Sequence, residues 1–309
     1  MGADISVSII VVTYNAPDKA QECLDALTGS GKPTVTYEVI ALDNASQPSL
    51  IPLLREYLPS SCVVDASENL GFARGCNAAA ERARGRFLIF LNPDAVIHPG
   101  AIDELVRLAD SMPDVGVLGG GLVDPQGRTD PKSSWGAPSA WSYFCFATGL
   151  STLFRASELF NPEALGGWDR ETARDVPIVT GCLMLVPRAV WQQLGGFDDR
   201  YFMYGEDADL CLRARQSGRR VRFDPSPRAL HHWGASSGSS GNKTTLLLAG
   251  RMTYVIKNFS GWRQSSAVAS LKSGVALRAA AAVLLRRRDN GWGIAWRRRS
   301  EWLTGYPPI

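Results

Sequence analysis

The chain has 309 residues, 45% of them hydrophobic, which is enough to bury the core of one large α/β domain with an appendage, or of two domains, without disulfides. The net charge of +3 is unevenly placed: eight basic and two acidic residues lie from Ser270 onward, so the body is net acidic and the basic character belongs to the tail. No basic leader precedes the strand-like residues 5–12, and no run reaches the roughly 18 apolar residues of a spanning helix. These features predict a cytoplasmic protein and give no expectation of a nucleic-acid partner. Cys23, Cys62, Cys76, Cys145, Cys182 and Cys211 form no C-x-x-C pair, so buried, reduced thiols are expected rather than disulfides or zinc.

The β-branched run Val7–Thr13 predicts a buried parallel strand ending at Tyr14-Asn15. Helical spacing over 18–27, with Pro17 near its start, predicts a helix. A second strand over 37–42 ends at Asp43-Asn44-Ala45-Ser46, and a short third covers 62–65. A helix over 71–83 is stopped by Gly85. A fourth strand over 86–91 ends at Asn92-Pro93-Asp94, and Ala101–Ser111 reads as a helix. This alternation argues for a mostly parallel sheet flanked by helices, with ligands beyond the carboxyl ends of the strands, where the three polar clusters fall. Residues 125–177 read as loop, 179–186 as a strand, 206–217 as a helix capped by Gly218, and 234–241 as a Ser/Gly-rich loop. The domain expected from this pattern spans 5–262, with a helical basic extension over 263–309.

A nucleotide diphosphate needs its charge met by a glycine-rich cradle or by a metal. No G-x-G-x-x-G follows the first strand, and Gly29-Ser30-Gly31-Lys32 lacks the spacing and the Ser/Thr of a P-loop. Dehydrogenase and NTPase readings lose their phosphate site, and a divalent metal, Mg²⁺ or Mn²⁺, becomes the better candidate. Asp94 follows a strand with Pro93 fixing the turn; an ordinary Asx-turn accounts for it equally well. His231 is one of three histidines, and suits either a structural role or an imidazole ligand. Glu206, Asp207 and Asp209 crowd a helix start, which fits macrodipole complementation or a general base for an acceptor hydroxyl. The helix tip lowers a carboxylate's pKa, while burial and neighbouring carboxylates raise it. An oxocarbenium-like transition state lets the proton leave late, so a modest base suffices.

Taken together, Ser8 to Asn15, Leu42-Asp43-Asn44-Ala45-Ser46, Asn69-Leu70-Gly71-Phe72-Ala73-Arg74-Gly75-Cys76-Asn77, Phe90-Leu91-Asn92-Pro93-Asp94, Gly195-Gly196-Phe197-Asp198, Phe202 to Arg213, and His231 with Gly234 and Ser236 resemble glycosyltransferase family 2. The likeness lies with its bacterial rhamnosyltransferase-like branch and covers about residues 7–236. It implies a GT-A fold, a Rossmann-like nucleotide-diphospho-sugar transferase. Thr13, Asn15, Asp43 and Asn44 would line the base and ribose site, and Asn69, Arg74, Asn77 and Asn92 the rest of the nucleotide-sugar. Asp94 would match the last Asp of the D-x-D metal motif, His231 would be a second ligand, and Asp207 the base of an inverting displacement. Glu206 would contact the acceptor; Trp135, in the loops over 127–175 where acceptor specificity would lie, suits stacking on an acceptor sugar or a place in the core equally well. Asn92 stands where D-x-D has its first Asp, which leaves Asp94 as the motif's sole carboxylate.

The resemblance implies transfer of L-rhamnose from dTDP-L-rhamnose to a saccharide or lipid-linked saccharide in cell-surface glycan synthesis. By composition, the apolar and arginine-rich tail suits the inner face of the membrane, a solvated basic helix or an oligomer contact. UDP-hexose or UDP-hexosamine donors, a non-catalytic nucleotide-sugar-binding module and a nucleotidyltransferase are the alternatives. The sequence does not set the linkage position or the oligomeric state.

Overall fold

The computed structural model describes residues 4–231, 240–285 and 291–307. The strands are β1 (Val7–Thr13), β2 (Tyr37–Asp43), β3 (Val63–Asp65), β4 (Phe87–Leu91), β5 (Ala95–Ile97), β6 (Val115–Val123), β7 (Ser134–Trp135), β8 (Arg174–Asp175), β9 (Ile178–Val179), β10 (Leu183–Pro187) and β11 (Arg220–His231). The helices are α1 (Pro17–Thr28), α2 (Ile51–Tyr57), α3 (Gly71–Ala80), α4 (Ala101–Ser111), α5 (Ala140–Thr148), α6 (Leu150–Leu153), α7 (Arg188–Leu194), α8 (Glu206–Gln216), α9 (Ser240–Asn258), α10 (Gly261–Leu284) and α11 (Gly291–Arg297). Two compact units result. One comprises Met1–Ser134, Asp169–Asp198 and Leu210–Ser236; the other comprises Trp135–Trp168, Asp199–Asp209 and Ser237–Ile309.

The first unit is built on a nine-stranded sheet ordered β3-β2-β1-β4-β10-β6-β11-β5, with β8 beside β11. The half from β3 to β4 is parallel throughout. β1 is buried along its whole length, as a strand covered on both faces must be. The other half is mixed: β10 runs antiparallel to β4 and β6, and β11 runs parallel to β6 but antiparallel to β5. This mixed α/β arrangement is what the resemblance to a GT-A fold implies.

The expected elements are present through residue 111, with shifted ends; the helix expected over 71–83 stops at Ala80. β6 carries no periodic signal because much of it is glycine. A Cβ on Gly119 would come within 2.5 Å of Val179 Cβ, and one on Gly120 within 2.5 Å of Leu183 Cδ2. Neighbouring strands press so closely on β6 that side chains are excluded there. The strand expected over 179–186 is interrupted, giving β9 and β10.

In the second unit, the segment read as loop over 125–177 contains α5, begun by a Ser139–Ser142 capping box and ended by Gly149 at φ +80°. Tyr143 of α5, Leu248 and Met252 of α9, Leu271 and Val275 of α10, Ala295 and Trp302 share one core. Arg278 lies over the Phe146 ring at 3.8 Å, a cation–π contact between α10 and α5. α10 is long and apolar enough to cross a membrane, by length and composition only. This corrects the expectation drawn from unbroken apolar runs. Small residues carry the helix through its polar interruptions, and Ala267, Leu271, Gly274, Val275, Ala279 and Ala282 are buried in the core.

Tyr204 (φ +68°) and Gly205 (φ +100°) are consecutive left-handed residues just ahead of α8. The Tyr204 carbonyl sits on Gly250 of α9, where a Cβ would overlap its oxygen. Cys23, Cys76, Cys145, Cys182 and Cys211 are buried and Cys62 is half-buried, all as free thiols. Arg286, Arg287 and Arg288 of the basic tail, and Gly234 and Ser236 of the loop expected over 234–241, lie outside the described residues.

Candidate active site

The carboxyl ends of β1 and β2 are stitched together. Asn44 N–H donates to Thr13 O at 2.9 Å, and Thr13 Oγ1 donates to Leu42 O at 3.1 Å. Asn15 N–H donates to Ser46 Oγ at 2.9 Å, while Asn15 Oδ1 accepts from Gln47 N–H at 2.7 Å. Asn15 (φ +50°) and Ala45 (φ +60°) are both left-handed, a conformation asparagine tolerates but alanine adopts at a cost of about 1–2 kcal/mol. Asp43, 1% exposed, accepts from Ser46 N–H at 3.1 Å, Ser49 Oγ at 3.1 Å and Leu50 N–H at 2.7 Å. Its carboxylate therefore organises the turn ahead of α2 as well as ending β2.

Asn44 and Asn69 form a second knot. Asn44 Nδ2 donates to Asn69 Oδ1 and to Gly71 O, each at 3.0 Å, and Asn44 Oδ1 accepts from Leu70 N–H at 2.8 Å. α3 starts there and packs on β1 at Gly75, where a Cβ would lie 3.0 Å from Val12 Cγ1. Arg74, half-exposed, is 3.6 Å from Glu68. Asn77 turns its amide to Phe197: Nδ2 donates to Phe197 O at 2.8 Å and Oδ1 accepts from Phe197 N–H at 3.0 Å. That two-bond clasp ties α3 to the Gly-Gly-Phe-Asp segment.

The turn Asn92-Pro93-Asp94-Ala95 is closed by Ala95 N–H donating to Asn92 O at 3.1 Å, with Pro93 at the position that favours it. Backbone atoms close the turn. The buried Asp94 carboxylate is directed to His231, whose Nε2 lies 3.1 Å from Asp94 Oδ1. Sheet register explains the meeting. β11 pairs antiparallel with β5, opposing His231 to Ala95, the residue after Asp94. Burial first, and then the Asp94 charge, push the Cys23 and Cys182 thiols up, so both remain neutral. A carboxylate oxygen and an imidazole nitrogen are ligands an octahedral Mn²⁺ accepts, and neighbouring ligands on bonds of about 2.1 Å stand about 3 Å apart. The pair fits such an ion. Among the described residues no cluster of three or more His, Cys, Asp or Glu stands together.

In the second unit, α8 opens with Glu206, Asp207 and Asp209. Burial first, and then the Asp207 charge, hold the Glu206 carboxyl well above the usual carboxylate range. Asp209, fully buried, pairs with Lys257 Nζ at 2.6 Å. The Asp209 charge at the helix tip is therefore met by an ion pair. Asp207, half-buried, keeps its carboxylate at the start of the helix, where Oδ1 accepts from Ala208 N–H at 2.7 Å. Trp135 is a half-buried residue of β7.

The first unit thus brings together Thr13, Asn15, Asp43 and Asn44, then Asn44 with Asn69, and Asp94 with His231, while Asn77 is tied to Phe197. Glu206, Asp207 and Trp135 belong to the second unit. Neither the Lys257–Asp209 pair nor the Asn77–Phe197 clasp is legible from spacing, because each joins residues far apart in the chain.

The family model described as Glycosyl transferase family 2 matches residues 8–189, and one described as N-terminal domain of galactosyltransferase matches 171–232. The N-acetylglucosaminyl-diphospho-decaprenol L-rhamnosyltransferase of Mycobacterium tuberculosis is 28% identical over 290 residues, covering 87% of this chain and 90% of that protein. Among solved structures, the mannosyltransferase of Pyrobaculum calidifontis in complex with GDP-Man and Mn²⁺ superposes with a TM-score of 0.55 at 17% identity, covering 98% of this chain and 86% of that one. GalNAc-T7 with UDP, GalNAc and Mn²⁺ gives 0.56 at 15% identity, covering 82% of this chain, which spans about half (51%) of GalNAc-T7. At these identities the structures speak for the fold. The family match, laid over the strand ends and the Asp94 turn, settles the kinship: the chain belongs to glycosyltransferase family 2.

Proposed function

We propose that this glycosyltransferase is a metal-dependent, inverting enzyme that moves L-rhamnose from dTDP-L-rhamnose to a hydroxyl of a lipid-linked saccharide. The observation that carries the metal-site reading is the Asp94–His231 pair at 3.1 Å beyond the end of β4. The donor and acceptor reading is supported by the rhamnosyltransferase relative, whose name specifies a diphospho-decaprenol acceptor. Asp94 and His231 would hold Mg²⁺ or Mn²⁺, with the donor's phosphates completing the shell. A metal bound there supplies charge neutralisation to the departing diphosphate.

The chain's own residues do the rest. Thr13, Asn15, Asp43, Asn44, Asn69, Arg74 and Asn92 hold the nucleotide-sugar, and Asn77 frames its site through the two bonds to Phe197. Glu206 and Trp135 contact the acceptor. The acceptor oxygen bonds to the donor's anomeric carbon as the bond from that carbon to the diphosphate oxygen breaks. Asp207 takes the hydroxyl proton, and the nucleoside diphosphate leaves with the bonding pair. Attack opposite the leaving group inverts the centre. Burial, and then the Asp207 charge, raise the Glu206 carboxyl above the usual carboxylate range, which supports Asp207 as the group that accepts that proton.

The catalytic domain is proposed as residues 5–262 and the helical extension as 263–309. Exposed Leu277, Val283, Leu284 and Leu285 at the end of α10, followed in sequence by three arginines, support contact with an anionic membrane face on the cytoplasmic side.

The test is transfer by the purified protein from dTDP-L-rhamnose, UDP-hexose or UDP-hexosamine to an N-acetylglucosaminyl diphospholipid, with Mn²⁺ or with a chelator. Release of dTDP with an inverted glycoside, abolished by chelation, is expected. Turnover of a UDP-sugar alone selects that donor. Pyrophosphate release selects a nucleotidyltransferase, and nucleotide binding without turnover of any donor selects a binding module.

A further inference from the structure

The C-terminal segment returns to the turn that leads into α8, whose first residues include Glu206, Asp207 and Asp209. Tyr306 Oη donates to the Met203 carbonyl at 2.6 Å and lies 3.1 Å from Leu246 O of α9. The residue is anchored on both sides of that contact. Its own N–H donates to Thr253 Oγ1 at 2.7 Å, and Thr253 donates in turn to Ala249 O at 2.9 Å. Trp302, four residues earlier and fully buried, donates Nε1–H to Ala295 O at 2.8 Å. Burial first, and then the Glu206 charge, push the Tyr306 phenol up, so it keeps its proton and acts as a donor.

Met203 leads directly into the left-handed pair Tyr204-Gly205, after which α8 begins. A backbone that L side chains rarely adopt persists only where its surroundings over-determine it. Two contacts do so here: the Tyr204 carbonyl rests on Gly250, and the Met203 carbonyl takes the Tyr306 hydroxyl. Both contacts fall on the three residues from which α8 starts.

We propose that Tyr306 is a positioning residue, whose hydroxyl fixes the Met203–Gly205 turn and so aims the Asp207 carboxylate. The inference rests on the reading of Asp207 as the base. It assigns to the C-terminal extension a part in the chemical step that is separate from any membrane contact.

The test is Tyr306→Phe, which keeps the ring and removes the hydroxyl, beside Thr253→Val, which loosens the anchor and leaves the hydroxyl in place. Rates are taken below the melting temperature and per nucleotide-binding molecule. For Tyr306→Phe, kcat is expected to fall roughly 10-fold or more, since a misplacement of about 1 Å costs up to about 100-fold. Donor KM and dTDP affinity should stay unchanged. Thr253→Val should move kcat in the same direction by less. A merely structural role would lower Tm and leave kcat per folded molecule untouched. A kcat within twofold of wild type in both variants overturns the proposal. Asp207→Asn separates the two levels: if it keeps wild-type kcat, the base reading fails; if it is inactive while Tyr306→Phe is fully active, the positioning role alone fails.

Discussion

Asp94 and His231 are 137 residues apart in the chain, and Asp94 Oδ1 and His231 Nε2 are 3.1 Å apart in space. The antiparallel register of β11 on β5 produces that closeness, so backbone pairing holds the two side chains before any ligand arrives. As the proposed metal ligands, Asp94 and His231 would leave most of the shell for the donor's phosphates to complete. Mn²⁺ should therefore bind poorly to the protein by itself and much more tightly once dTDP is present. Asp94→Ala and His231→Ala should each lower transfer by about 100-fold or more, as loss of preorganised charge stabilisation does. Calorimetric titration of Mn²⁺ with and without dTDP checks the coupling; tight Mn²⁺ binding to the nucleotide-free protein would sink it.

Asp207→Asn preserves shape and removes the proposed base. Its kcat should drop by about 100- to 10,000-fold, the usual contribution of a positioned general base. Nucleotide affinity should hold, because the residues proposed to hold the nucleotide belong to the first unit. Steady-state kinetics beside dTDP titration provides the measurement, and parallel losses in affinity and rate would contradict the assignment.

Glu206 makes stability depend on pH. Its pKa is raised in the folded state, by burial first and then by the Asp207 charge, above the ordinary glutamate value of 4.5. Between those two values the folded state holds more protons than the unfolded chain, so stability declines as pH rises. Glu206→Gln has nothing to titrate. The variant should gain Tm relative to wild type progressively from about pH 4.5 upward. Melting curves from pH 4.5 to 8 check this, and a difference that stays flat with pH would refute it.

Asn77 divides a binding role from a structural one. Asn77→Ala strips partners from both the N–H and the C=O of Phe197, a residue 1% exposed. Each orphaned buried group costs about 1–3 kcal/mol. A clear fall in denaturation midpoint is expected, with little change in donor KM at temperatures where the variant stays folded. Unchanged stability with a raised KM would return Asn77 to direct contact with the nucleotide.

The parallel half of the sheet was legible because β1, β2 and β4 are buried on both faces and read as unbroken apolar runs. β6 was not, since close packing replaced its side chains with glycine and erased the pattern. α5 was hidden for a different reason. Its apolar residues run all round, without the alternation of faces by which a surface helix is read. At the site, Asp94 was visible as a strand-end residue and His231 only through its motif; their contact is set by a strand pairing that no local pattern announces. Asp209 looked like one more acid at a helix tip until Lys257, 48 positions on, was found against it.

Gly250 lies inside α9, where helix propensity alone would recommend alanine for a gain of about 1 kcal/mol. The Tyr204 carbonyl reverses that advice. A thermostabilised form built from propensity tables would spend its first substitution forcing the turn ahead of Asp207 out of place. Screening by melting temperature alone would miss the damage, so candidates in α9 belong in an activity screen first.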